Sequence, residues 1–92
     1  MSFRIVEMKD LSGAKAHIYS VKFDGYDETL LDRFFNENED NKNLQEMLHK
    51  IIVMATKTGC LKQFFKEGEG GLADGVVALS VGNLRLYGIY FN

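Results

Sequence analysis

The stretch that decides the fold is Leu61–Asn92, LKQFFKEGEGGLADGVVALSVGNLRLYGIYFN, and above all its segment Val76–Ile89. Two apolar runs meet there at Gly82-Asn83, a pair suited to a two-residue hairpin turn. Such a turn sets Val81 opposite Leu84, Leu79 opposite Leu86 and Val77 opposite Gly88, all on one apolar face. The other face then carries Val76 opposite Ile89, Ala78 opposite Tyr87 and Ser80 opposite Arg85. The first face is a core face, with Gly88 leaving room for a helix to approach. The second presents a hydroxyl, a guanidinium and a phenol near the turn.

Working towards the N-terminus, Asn41–Thr58 places Leu44, Met47, Leu48, Ile51, Ile52 and Ala55 at helical spacing, with Gly59 suited to end the helix in a left-handed conformation. A shorter helix precedes it, with Leu30, Leu31, Phe34 and Phe35 on its apolar side. Asp27 is its expected N-cap, and Tyr26 and Leu31 form a hydrophobic staple. The polar run Asn36–Asn43 between the helices reads as a solvated loop. Phe3–Met8 and Ala16–Phe23 read as strands, with Tyr19, Val21 and Phe23 alternating and Lys9–Gly13 supplying the turn. The order is ββααββ: an α+β domain in which two helices pack on one face of a small, mainly antiparallel sheet.

With 92 residues, the chain is long enough for one core, so residues 1–92 are a single domain. A hydrophobic content of 46%, with seven Phe and four Tyr, supports a folded rather than a disordered chain. No apolar run approaches the roughly 20 residues that cross a bilayer. The N-terminus lacks the pattern of a secretory signal. A single cysteine, Cys60, excludes an internal disulfide and a multi-cysteine zinc site. His17 and His49 lie on separate elements and predict no metal site. The expected setting is cytoplasmic, with no cofactor and no membrane contact.

The net charge of −2 is unevenly spread. Residues 24–46 hold eight acids (Asp24, Asp27, Glu28, Asp32, Glu37, Glu39, Asp40 and Glu46) against Arg33 and Lys42, and the rest of the chain is net basic. A basic surface can therefore coexist with an acidic average. Arg85, between leucines on a strand, suits either an ion pair at the sheet rim or bidentate contact with a phosphate. Tyr87 suits sheet covering or base stacking. Lys62 and Lys66 flank Phe64-Phe65 just before the hairpin, as solvated charges or as part of a basic patch with Arg85. The glycines at 68, 70 and 71 lack the Lys-Ser/Thr of a phosphate loop and sit beside Glu67 and Glu69, so a connector is expected.

The helix ending in Gly59, the basic-aromatic lead-in, and DGVVALSVGNLRLYGIYF over Asp74–Phe91 together resemble the RelE/ParE toxin superfamily, nearest its HigB-type and phage-derived relatives. The resemblance spans about Tyr26–Phe91. It implies a RelE/ParE-like fold and a toxin component of a type II toxin–antitoxin pair: a metal-independent, ribosome-dependent mRNA endonuclease with a small antitoxin as partner. It implies catalytic roles for Arg85, Lys66 and Tyr87, and RNA contacts through Lys62, Lys66, Arg85 and Tyr90. Ser80 stands where many members have a second arginine, and Ala78 where they have an acid. The alternative is a RelE/ParE-like protein-binding module without catalysis, degenerate or gyrase-directed. A homodimer through the apolar edge Tyr90-Phe91-Asn92 is a further expectation.

Overall fold

The computed structural model describes residues 2–60 and 76–89, with Val76 and Val77 given by their backbone alone. Strands β1 (Phe3–Glu7) and β2 (Tyr19–Phe23) are followed by helices α1 (Leu30–Glu37) and α2 (Leu44–Val53). A π-helical turn, Met54–Thr58, continues α2, and strands β3 (Val76–Val81) and β4 (Leu84–Ile89) complete the described elements. The α+β class and the ββααββ order are as the sequence predicts.

One expectation is corrected. Among the described residues the strands form two separate antiparallel ladders, β1–β2 and β3–β4, instead of one sheet with both helices on a single face. Each strand pairs one edge with its sequence neighbour, which is the cheapest loop to close. The helices divide accordingly: α1 packs against β2 and α2 against β3. The core joins them through Leu11, Leu31, Leu44, Met47, Ile51, Met54, Leu79, Val81 and Leu84. Met47, on the inner face of α2, is 0% exposed.

The β3–β4 register is the one the turn dictates, from Val81↔Leu84 to Val76↔Ile89. Leu79, Val81 and Leu84 enter the core and Leu86 packs against it. Gly88 departs from expectation: a β-carbon there would meet nothing within 4 Å among the described residues, and neither described helix approaches it.

Helix α1 begins later than the sequence suggests. Thr29, not Asp27, is the N-cap: its hydroxyl accepts a hydrogen bond from the Asp32 N–H at 3.1 Å, and the Asp32 carboxylate faces the Thr29 N–H at 3.4 Å. This reciprocal box satisfies two donors, whereas a cap at Asp27 would leave them open. The Leu31 N–H, another first-turn donor, reaches the Ser20 hydroxyl of β2 at 3.0 Å. Tyr26 consequently lies outside the helix entrance and, in place of a staple to Leu31, sits under the Arg33 guanidinium, 4.6 Å from ring centre to Cζ.

Helix α2 starts at Leu44 because Asn41 and Asn43 are engaged elsewhere, as described below. At its other end the Gly59 N–H reaches back to the Met54 carbonyl at 2.9 Å, closing the wider turn. Gly59 ends the helix with a positive φ, 75°, but its ψ of −179° is extended in place of the expected left-handed helical value. Widening releases the Ala55 carbonyl, which accepts from the N–H groups of Lys15 and Ala16 at 2.8 and 3.1 Å. The β1–β2 connection is thereby pinned to the end of α2. Gly13 lies so close that a β-carbon on it would stand 2.5 Å from the Ala55 oxygen.

That connection also shortens the second strand, which begins at Tyr19 where Ala16 was expected. The Ser12 hydroxyl binds the Met8 carbonyl at 3.0 Å and accepts from the Ile18 N–H at 2.9 Å, holding residues 8–18 as an ordered loop with Leu11 in the core.

Candidate functional site

The hairpin β3–β4 positions the residues singled out from the sequence. Gly82 has a φ of 58°, and no non-glycine residue among those described has a positive φ. This is the type II′ arrangement, with glycine at the first turn position, and its twist matches that of the flanking strands. Ser80 is therefore held directly across from Arg85, and Ala78 across from Tyr87. Arg85 and Tyr87 point to the same side, about 7 Å apart along the strand at the usual rise. Arg85 is exposed and Ser80 half-buried. Tyr87 is 59% exposed and Ile89, next on the same face, 72%.

Two of the five expected site residues, Arg85 and Tyr87, are thus brought onto one face. Lys62, Lys66 and Tyr90 lie outside the described residues, as does the expected Tyr90-Phe91-Asn92 edge. Ala78, expected on the open face, is fully buried. An acid at this position would enter a dry environment, at a large desolvation cost.

An asparagine clasp holds the hairpin turn in place. The Asn83 Oδ1 accepts from the Nδ2 groups of Asn41 and Asn43, at 3.0 and 3.2 Å. The Asn41 Oδ1 in turn accepts from the Asn43 N–H at 2.9 Å. The Asn43 side chain lies against Gly82, where a β-carbon would collide with it. The loop that reads as merely solvated is therefore a brace for the hairpin. Its sequence signal is only a pair of asparagines before a helix, 42 and 40 residues from the Asn83 they grip.

Other polar features lie on the first ladder and at the end of the second helix. His17 Nδ1 and Glu7 Oε2 are 3.0 Å apart on the first ladder. This hydrogen bond holds the Glu7 carboxyl below its ordinary 4.5. Burial alone pushes the Cys60 thiol up, which makes it a poor nucleophile; it packs against the core as a small apolar residue. A cleft of about 530 Å³ opens between the end of β1 and the helices. Val6, Met8, Leu11, Phe35 and Leu48 line it, and neither Arg85 nor Tyr87 does.

Comparison of the chain with protein-family models, with curated proteins and with solved structures gave no significant match.

Proposed function

We propose that this chain is a toxin-like, RelE/ParE-related domain that works by docking a protein, with a small antitoxin-like protein as its partner. The carrying observation is the outer side of β4, where Arg85, Tyr87 and Ile89 alternate into solvent, the last two at 59% and 72% exposure. An arginine, an aromatic and an aliphatic side chain on a rigid ladder are the side-chain types that dominate protein-binding energetics. The element order and the charged hairpin support the toxin-like class. Ala78 supports docking over catalysis, because it leaves the position without the acid that the resembled family carries there.

A second reading is favoured by one observation: Ser80 stands directly opposite Arg85, next to Tyr87. A guanidinium beside two hydroxyls can bind an RNA phosphate, and the attack of a 2′-hydroxyl on that phosphate would be helped by the positive charge. This is the mRNA endonuclease reading, with Arg85 as phosphate ligand and Tyr87 beside it.

Induced expression of the wild type beside Arg85→Ala and Ile89→Asp separates the two, with growth and cellular mRNA integrity as readouts. Docking expects intact mRNA throughout, and any growth arrest to be relieved by Ile89→Asp. Cleaved mRNA that becomes intact with Arg85→Ala would replace docking by nuclease chemistry.

A further inference from the structure

The first ladder is left incomplete on one edge and one face. At its ends the Met8 N–H donates to the Ile18 carbonyl at 2.7 Å and the Asp24 N–H to the Ser2 carbonyl at 3.0 Å. With the register Phe3↔Phe23, Arg4↔Lys22, Ile5↔Val21, Val6↔Ser20 and Glu7↔Tyr19, the even-numbered residues of β1 therefore make the bonds to β2. The N–H and C=O groups of Phe3, Ile5 and Glu7 point out of the other edge. Among the described residues they form no backbone hydrogen bond with another segment. Helix α1 packs against β2, the other strand of the ladder. The side chains of the same residues share a face with Tyr19, Val21 and Phe23, and Phe3 and Ile5 are 58% and 60% exposed. None of these five apolar residues belongs to the core. A two-stranded ladder is marginal by itself, and an open apolar edge is a template for another strand.

We propose that β1 is the interface of a symmetric dimer, in which a second copy of this chain adds its own β1 antiparallel about a two-fold axis at Ile5. The product is a four-stranded sheet, β2–β1–β1–β2. The sequence of the strand selects this register. Centred on Ile5, the two copies align one aliphatic row, Val21–Ile5–Ile5–Val21, and set Arg4 opposite Val6 of the second copy. Phe3 lies opposite Glu7, whose carboxylate is engaged by His17 at 3.0 Å. Moving the axis to Arg4 sets two guanidiniums against each other, an unfavourable cross-strand pair, and moving it to Val6 breaks the Ile5–Ile5 centre of the aliphatic row. A one-residue slip puts the apolar face of one copy on the polar side of the other. A second copy therefore fits with no like charges directly opposite each other, and each outward backbone group at positions 3, 5 and 7 gains a partner. The inference rests on the first ladder alone and is independent of the docking assigned to β4.

The test is the mass of the intact chain by light scattering. The concentration range is about 10 µM to about 1 mM, because an interface below about 1,200 Å² associates weakly. The wild type should pass from monomer to dimer. Ile5→Lys and Ile5→Glu, at a position 60% exposed, should each remain folded and monomeric, and an equimolar mixture should recover the dimer through the Lys–Glu pair across the axis. Ile89→Lys, on the other ladder, should dimerise like the wild type. A wild type that stays monomeric throughout overturns the proposal and leaves the edge to a strand of another protein. Dimers persisting in either single charge variant, or a mixture that stays monomeric, overturn the two-fold pairing at Ile5.

Discussion

At the scale of single residues, two side chains have effects that can be measured. Thr29 is buried and makes the reciprocal cap with Asp32. Thr29→Ala should lower unfolding stability by about 1 kcal/mol, and Thr29→Ser should keep most of it, as read by chemical denaturation. Glu7 has its carboxyl lowered below 4.5 by the His17 hydrogen bond. A group whose pKa falls on folding stabilises the folded state above its unfolded value, and that contribution disappears as pH drops through the lowered value. Glu7→Gln should therefore flatten the loss of stability with acid below about pH 4.5, seen as a smaller shift in the thermal midpoint between pH 5 and pH 3. Both contacts escape a reading of the sequence in part: Thr29 competes with Asp27 as a cap, and Glu7 and His17 meet only once the hairpin register is known.

At the scale of elements, the two hairpins differ in how much of them can be read in advance. Gly82-Asn83 permits one turn length, so every pair of β3–β4 follows from it, as does the face carrying Arg85 and Tyr87. The eleven-residue span Met8–Ile18 permits many, and its register is set by Ser12 and by the Ala55 carbonyl, neither of which announces itself. The alternation of Tyr19, Val21 and Phe23 marks a strand, but periodicity cannot say which face meets the core. Here that row stays outside it. The wide turn after α2 is also silent in the sequence, since Met54–Thr58 has ordinary helical composition. Its consequence is sharp at Gly13: Gly13→Ala should destabilise the chain by about 1–3 kcal/mol, because the new methyl group meets the Ala55 backbone rather than a movable side chain. Gly25→Ala, where the added β-carbon meets nothing within 4 Å, isolates the purely conformational penalty for comparison.

At the scale of the whole molecule, one core gathers the second ladder, both helices and Leu11 of the first hairpin's loop, with Met47 fully buried in it. Met47→Ala should cost about 2–5 kcal/mol and broaden or lower the single unfolding transition, whereas Ile52→Ala on the exposed side of α2 should cost far less. The separation of the strands into two ladders is the feature least accessible from sequence. Local patterns predict which residues form strands, but whether two hairpins join depends on contacts between segments far apart in the chain.

The bond from the Ala55 carbonyl to the amides of Lys15 and Ala16 has a consequence for how the molecule breathes. Both residues lie in a loop between strands, where amide protons normally exchange with solvent in the fastest class. Here their exchange requires the end of α2 to open, since its carbonyl is their acceptor. Deuterium uptake at positions 15 and 16 should thus keep time with helix α2 and not with the surface loop, making two amides of the first hairpin reporters on the second helix.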